Sequence, residues 1–185
     1  AKVVISSRKQ DAVEAVAAEL NAAGFEAVGI ACHIGDDEQR KNLVEKTIAA
    51  FGRIDILVNN AAINPFYGPL ETSNEEVFDK IMNVNVKAPW LLSNLVQPHM
   101  KANKSGSIIN ISSVEGLHPG FRLGLYSMTK SALIMLTKNQ AKEWGRSGIR
   151  SNVVCPGLIK TKFSESLWTN EKLVAGYNQM VPLQR

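Results

Sequence analysis

Short apolar runs alternate along the chain with longer segments that carry apolar residues at helical spacing. Five apolar runs predict β-strands, at residues 2–6, 27–32, 54–58, 107–112 and 149–155. Apolar residues at i, i+3 and i+4 predict helices, at residues 11–23, 36–51, 74–101 and 126–144, with a shorter one ending near Met180. Strands and helices therefore alternate along most of the chain.

Local signals mark several helix ends. Gly52 follows the second helix, where a residue in the left-handed conformation commonly ends a helix. Asp36 begins that helix, where an acidic residue interacts favourably with the helix dipole. Ser73 or Asn74 is expected to cap the third helix, and Pro89 to bend it.

Strands that are almost entirely apolar and separated by helices indicate a parallel sheet covered on both faces. Right-handed crossovers then give a doubly wound, Rossmann-like α/β fold, and we expect residues 1–185 to form one domain of this class. Such sheets bind ligands at the carboxyl ends of their strands. The residues that follow each strand are therefore the candidates for function.

Composition and charge narrow the classes of function. Hydrophobic residues make up 45% of the chain, and no apolar run approaches the roughly 20 residues of a membrane helix. The net charge is +4, but cations are interleaved with acids, so we expect no nucleic-acid partner and no membrane. The two cysteines and three histidines are isolated from one another, which predicts no metal site. No signal peptide is visible, and a cytoplasmic location is expected, with a peroxisomal one as the alternative.

Polar motifs follow the predicted strands. They read S-S-R-K at residues 6–9, N-N-A-A at 59–62, S-S at 112–113 and P-G-L-I-K-T at 156–161. N-V-N at 83–85 lies in the third helix, and Y-S-M-T-K at 126–130 opens the fourth. In this order the motifs resemble those of the short-chain dehydrogenase/reductase family with a Tyr-x-x-x-Lys active site. Within the family they are most similar to the NADP-dependent carbonyl and retinal reductases of the member 4 group.

The resemblance implies a catalytic set of Asn85, Ser113, Tyr126 and Lys130. Tyr126 and Lys130 would share one helix face, and a nearby ammonium would lower the pKa of the phenol toward neutral pH. The family residue that matches Ser113 hydrogen-bonds the substrate oxygen, and the one that matches Asn85 holds a water that connects the lysine to solvent. Taken alone, Tyr-x-x-x-Lys is more often a pair of packing side chains on a half-exposed helix. Its position after Asn85 and Ser113, in the order typical of the family, favours a catalytic role instead.

Cofactor contacts are implied at most of the strand ends and on the catalytic helix. They fall at Ser7, Arg8, Lys9, His33, Ile34, Asn60, Ala61, Tyr126, Lys130, Pro156, Gly157, Ile159 and Thr161. NAD-dependent enzymes usually place an acid at the ribose, whereas NADP needs a cation there. Arg8 and Lys9 occupy that region, and no acid follows until Asp11, so NADP(H) is the expected cofactor. The plainer alternatives are a solvated strand end at Arg8 and a simple strand stop at Pro156.

The sequence departs from the family pattern in several places. The glycine-rich turn T-G-x-x-x-G-I-G and the strand before it do not occur, so we expect this sequence to be part of a longer chain. V-P-L-Q-R at its end resembles the run before the family's last helix and strand. Ala62 stands where the family usually has glycine, and His33 where it usually has aspartate. His33 would either contact the adenine or lie in a plain loop.

The motifs predict an NADP(H)-dependent oxidoreductase that interconverts a small-molecule carbonyl and an alcohol. Apolar residues in 117–125 and 163–177 indicate a hydrophobic carbonyl, and residues 157–181 would form a substrate lid within the domain. Two alternatives stay open. One is a 3-oxoacyl thioester reductase of the same family, and the other is an inactive binding or assembly module that keeps the fold.

A homodimer or homotetramer is expected from the two long helices. Their apolar residues exceed what one sheet face can cover, at Trp90, Leu91, Leu92, Leu95 and Val96 and at Leu133, Ile134, Leu136 and Trp144. Members of the family pair through these helices, and two-fold symmetry is the commonest arrangement for homo-oligomers. The alternative is that the C-terminal segment covers the surplus.

Overall fold

Five parallel strands form the centre of the computed structural model, which describes residues 1–184. The strands are β1 (Lys2–Ser7), β2 (Glu26–Ala31), β3 (Ile56–Asn59), β4 (Gly106–Ile111) and β5 (Ile149–Val154). All five predicted strands are present, with ends shifted by no more than a few residues. Each pairing is parallel, so the carboxyl ends of paired strands lie together, as in Ser7 opposite Ala31 and Ile111 opposite Val154.

The strands divide into two sheets, of order β1-β2 and β3-β4-β5, where the sequence predicted one. Among the described strands, β1 pairs with β2 alone and β3 pairs with β4 alone, so β1 and β3 are not joined into one sheet. Part of β3 is accordingly open to solvent: Ile56 is 59% exposed and Val58 is 52% exposed. The doubly wound α/β class is confirmed, since the strands remain parallel and helices separate them.

Within residues 1–184, seven α-helices connect and follow the strands. They are α1 (Gln10–Ala22), α2 (Asp37–Phe51), α3 (Glu75–Met82), α4 (Ala88–Ala102), α5 (Gly124–Trp144), α6 (Glu165–Trp168) and α7 (Glu171–Met180). The predicted caps are confirmed where a side chain satisfies a free backbone N–H: Asp36 accepts from Gln39, and Asn74 accepts from Val77. Gly52 ends α2 with φ of 74°, the left-handed conformation that glycine adopts without strain.

The single helix predicted at residues 74–101 is divided by a turn of a different helix type. Residues Asn83–Lys87 form one turn of π-helix between α3 and α4, and Pro89 sits in the first turn of α4. The helical conformation runs unbroken into α4, since the Ala88 N–H donates to the Asn83 carbonyl, and Pro89 contributes no N–H to this pattern. Turns of π-helix are often found at functional sites, and this one carries Asn85.

The main core lies between helices α2 and α4 and the three-stranded sheet. Its buried members are Val44, Ile54, Leu92, Val96, Met100, Ile108 and Ile149. Burying a side chain of this size contributes roughly 1.5–3 kcal/mol relative to leaving it exposed. Because α2 follows β2 and packs against α4, this core ties the two sheets together. Across residues 1–184, no helix combines the length and apolarity needed to span a membrane.

Candidate active site

The end of β4 and the start of α5 bring the predicted catalytic side chains together. Ser113 comes just after β4, and Tyr126 and Lys130 lie on the first turns of α5. The Ser112 hydroxyl donates to the Lys130 carbonyl at 2.8 Å, which fixes the helix against the strand end. The ammonium of Lys130 donates to the Ile111 carbonyl at 2.8 Å and lies 5.5 Å from the centre of the Tyr126 ring.

Burial dominates the acid–base chemistry of Tyr126. It raises the pKa of the phenol, because the charged phenolate would lose its hydration. Hydrogen bonding by the Ser113 hydroxyl acts in the opposite direction, and the charge of Glu115 raises the pKa further. The lowering by Lys130 that the sequence predicts is not seen, since the ammonium is directed to the Ile111 carbonyl.

Lys130 is itself perturbed. Its side chain is buried, and loss of hydration lowers the pKa of the ammonium to about 8. A lysine with a pKa near the physiological range can exchange its proton, which an exposed lysine with a pKa of 10.5 does much less readily. Ser113, Tyr126 and Lys130 therefore form a cluster of two hydroxyls and one amine suited to moving a proton.

Asn85 occupies the π-helical turn and is only 1% exposed. Its amide exchanges two hydrogen bonds with the backbone of Ile63, each of 2.9 Å, and donates a third to Thr129 at 3.1 Å. The Thr129 hydroxyl donates in turn to the Tyr126 carbonyl at 2.7 Å. Asn85 thus braces the loop after β3 against the helical turn that carries Tyr126 and Lys130. Its predicted water-holding role stays a prediction.

A buried polar network lies beneath the strand ends. Asn59 donates to Asn110 on the neighbouring strand at 2.8 Å, and Asn110 donates to Thr137 and Gln140 of α5 at 2.9 and 3.1 Å. The side chain of Asn59 therefore points into the interior. Its neighbour Asn60, for which the resemblance implies a cofactor contact, is exposed. The network instead fixes α5 against the sheet.

The end of β1 offers groups that suit a phosphate. Ser7, Arg8 and Lys9 are all exposed, and Lys9 precedes the first turn of α1 without a side-chain cap. Uncapped N–H groups at a helix N-terminus favour anions, and two cations stand beside them. Asp11 in the first turn is the nearest acid along the chain. This donor set fits the 2′-phosphate of NADP better than the ribose hydroxyls of NAD.

The loop after β2 is held close to Asn85. His33 is exposed and its N–H donates to Gln39 at 2.7 Å, whereas Ile34 packs partly against the main core. The buried guanidinium of Arg40 donates to the Ile34 carbonyl at 2.6 Å. The amide of Asn83 donates to the carbonyl of Gly35, which places the loop beside the π-helical turn. Much of Ile34 is therefore used for packing rather than for a ligand.

The loop after β5 joins the catalytic edge. The Pro156 carbonyl accepts from Val114, the residue after Ser113, at 3.0 Å. Asn60 and Ala61 after β3, and Gly157, Ile159 and Thr161 after β5, are exposed and available to a ligand. Trp168 donates to the Thr161 carbonyl at 2.8 Å, and the ring of Phe163 lies 6.4 Å from that of Tyr126. Phe163, in the predicted lid segment, thus lies beside Tyr126.

Two further groups border the site and were not singled out from the sequence. Glu115 follows Ser113 by two residues, and its N–H donates to the Ser113 hydroxyl at 3.1 Å. Burial raises the pKa of Glu115, and it also raises that of Tyr177 on α7, where the charge of Glu115 acts as well. The position of Glu115 next to Ser113 was a usable signal. Nothing local in the sequence marks Tyr177.

The fold and these side chains define a class of protein, and comparison with known proteins agrees. A family model described as short chain dehydrogenase matches residues 1–172, and the chain therefore belongs to that family. The resemblance inferred from the motifs is confirmed.

Individual relatives refine the comparison. Dehydrogenase/reductase SDR family member 4 of Oryctolagus cuniculus is 44% identical over 185 residues, which are 100% of this chain and 71% of the relative. The same-named protein of Sus scrofa is 46% identical over 171 residues, 92% of this chain and 61% of the relative. The chain thus spans about two thirds of the length of these curated relatives.

A solved structure shares almost the whole fold. A gluconate 5-dehydrogenase from Burkholderia cenocepacia J2315, in complex with NADP and tartrate, superposes with a TM-score of 0.95. It is 30% identical, and the match covers 100% of this chain and 72% of the other. Together with the family match, this likeness supports nicotinamide-dependent oxidoreduction.

Proposed function

We propose that the protein is an NADP(H)-dependent oxidoreductase that interconverts a carbonyl and an alcohol, with Tyr126 as proton donor in the reductive direction. The observation that carries this proposal is the convergence of Tyr126, Ser113 and Lys130 at one strand end. A phenol carries its proton at neutral pH, and burial raises the pKa of Tyr126 further above its ordinary value of 10. A protonated phenol is the form required of a general acid toward a carbonyl oxygen.

Each neighbour of Tyr126 has a distinct task in this proposal. The Ser113 hydroxyl hydrogen-bonds the carbonyl oxygen and orients it toward the phenol. Lys130, with its pKa lowered to about 8, would leave the Ile111 carbonyl after the transfer and return a proton to the Tyr126 phenolate. Bound NADP(H) would supply or accept the hydride. Asn85 and Thr129 hold the tyrosine and lysine in position.

The preference for NADP(H) rests on the end of β1. Arg8 and Lys9 would pair with the 2′-phosphate, and Ser7 would donate a hydroxyl. The solved relative from Burkholderia cenocepacia is described with NADP, which agrees with this assignment. His33, Asn60, Ala61, Gly157, Ile159 and Thr161 are proposed to line the remainder of the cofactor site.

The proposed substrate is a hydrophobic aldehyde or ketone. Exposed apolar side chains flank the catalytic tyrosine on two segments, with Leu117 and Phe121 before α5 and Phe163 in the segment after β5. Water-exposed apolar groups of this kind are stabilised when a ligand covers them. Residues 157–181 would then close over the substrate as a lid, with Phe163 against the substrate beside Tyr126.

A screen of purified full-length protein tests the proposal. Ketones, aldehydes, quinones and a 3-oxoacyl thioester would each be mixed with NADPH or NADH, and cofactor oxidation followed by absorbance. We expect turnover of apolar carbonyls with NADPH and a clear preference over NADH. Turnover of the thioester alone would favour the alternative reductase, and no turnover of any carbonyl would overturn the proposal.

A further inference from the structure

Trp168 is bonded to a turn that leads to the active site. Its indole N–H donates to the Thr161 carbonyl at 2.8 Å. Trp168 is the last residue of the short helix α6, and Thr161 caps the 3₁₀ turn Lys162–Ser164 that precedes this helix. The indole therefore ties the end of α6 to the start of the turn.

Ser164 closes the same turn from within. Its hydroxyl accepts from the Thr161 N–H at 3.2 Å, lies 3.1 Å from the Thr161 hydroxyl and donates to the Ile159 carbonyl. The Ser164 N–H donates to the Thr161 carbonyl at 3.2 Å, so this carbonyl accepts from both Ser164 and Trp168. The bonds of Ser164 and Trp168 therefore converge on Thr161 and fix its backbone.

Phe163 lies inside this turn and reaches the catalytic helix. It stands between Thr161 and Ser164 in the chain, and its ring centre lies 6.4 Å from that of Tyr126. Aromatic rings at this separation attract one another. Phe163 is nevertheless 58% exposed, so much of its ring is open to a ligand beside the phenol. A substrate whose carbonyl meets Tyr126 therefore lies next to Phe163.

The placement of Phe163 depends on the backbone more than on burial. Thr161, Lys162 and Phe163 are all exposed. A side chain that stays largely in water gains little from the hydrophobic effect, so packing alone holds it weakly. The turn that Trp168 and Ser164 bond to therefore decides where the ring of Phe163 lies.

We propose that Trp168 is a positioning residue for carbonyl reduction: it holds the turn that keeps Phe163 beside Tyr126, where Phe163 forms an apolar wall against the body of the substrate. This inference deepens the proposed function and rests on it. The wall contacts the substrate equally before and during hydride transfer. Loss of the Trp168 bond should therefore raise the KM of the carbonyl substrate and leave kcat nearly unchanged.

Four forms of the full-length protein test the inference: wild type, Trp168→Phe, Phe163→Ala and the double variant. Each is assayed with saturating NADPH and increasing 4-methylacetophenone, an apolar ketone. Trp168→Phe keeps an aromatic ring and removes the N–H, and it should raise the KM of the ketone roughly two- to tenfold, as expected for one hydrogen bond. Phe163→Ala should raise that KM at least as far. The double variant should match Phe163→Ala, because Trp168 acts through Phe163.

Two serine variants extend the test. Ser164→Ala removes the hydroxyl that closes the turn and should raise the KM as Trp168→Phe does. Ser105→Ala, at an exposed position before β4 and so at the end of the strand away from Tyr126, is the matched control and should leave the KM unchanged. The wild-type KM in Trp168→Phe or Ser164→Ala, a lower kcat without a higher KM, or effects that multiply in the double variant would each overturn the inference.

Absence of ketone turnover in wild type would instead count against the proposed function. The turn is then tested by hydrogen exchange and mass spectrometry of the peptide that contains residues 159–168. Faster exchange in Trp168→Phe and Ser164→Ala than in wild type and Ser105→Ala supports the role of Trp168 in holding the turn, and equal rates overturn it.

Discussion

Replacement of Asn85 by alanine tests the brace behind the active site. The change removes three hydrogen bonds, a buried one with Thr129 and two half-buried ones with the backbone of Ile63. The Thr129 hydroxyl keeps its bond to the Tyr126 carbonyl, so the N–H and carbonyl of Ile63 are the groups left without partners. A fully buried group of this kind costs roughly 1–3 kcal/mol, and water can satisfy part of the loss.

The free energy of unfolding should therefore fall by about 2–4 kcal/mol. For a chain of this length the melting temperature should fall by roughly 4–16 °C. Chemical denaturation followed by circular dichroism measures the first quantity, and a thermal scan the second. Asn94→Ala, at an exposed position of α4, is the matched control and should change stability by less than about 0.5 kcal/mol. Equal stability of Asn85→Ala and Asn94→Ala would refute the brace.

Three other changes test the cofactor site, the lysine and the assembly. Arg8→Asp should shift preference from NADPH toward NADH by roughly ten- to a hundredfold, and an unchanged ratio of kcat/KM values would remove Arg8 from the phosphate site. Between pH 8 and 10.5, Lys130 is deprotonated in the folded protein but still protonated in the unfolded chain. The contribution of Lys130 to the free energy of unfolding should therefore increase as the pH rises through this range. In Lys130→Met the free energy of unfolding, measured by urea denaturation over the same pH range, should lack this increase. The same pH dependence in wild type and Lys130→Met would contradict the lowered pKa. Trp90→Asp should reduce the particle mass by light scattering, because Trp90 is 47% exposed on α4 where a partner is expected, and an unchanged mass would argue against that contact.

Local elements were predictable because their signals are local. The apolar run at the start of the chain became β1, and Gly52 and Asn74 act at helix ends as their residue types predict. The site residues were found through motif order, which keeps Ser113 and Tyr126 on adjoining elements. Immediate chain neighbours were enough to predict the strand and helix ends, whereas the site residues required motifs from much of the chain.

Other features depend on partners that are distant in sequence. The orientation of Asn59 is decided by Asn110 and Ser93, and neither is visible in the N-N-A-A motif. The pKa of Tyr126 was expected to fall because Lys130 is close along the helix, yet burial by the surrounding fold raises it and the ammonium of Lys130 is directed to the Ile111 carbonyl. The division into two sheets likewise follows from which strands pair, and strand pairing is not encoded in any single apolar run.

The most direct test of the central claim is the effect of Tyr126→Phe on carbonyl reduction by the full-length protein. The change removes the phenolic proton and keeps the ring that packs near Phe163. With saturating NADPH and the best ketone of the screen, kcat should fall at least roughly 100-fold, since general acid catalysis typically contributes 10²–10⁴. NADPH affinity, measured by fluorescence titration, should stay at the wild-type value. Turnover at the wild-type rate with NADPH still bound would contradict the assignment of Tyr126 as the proton donor.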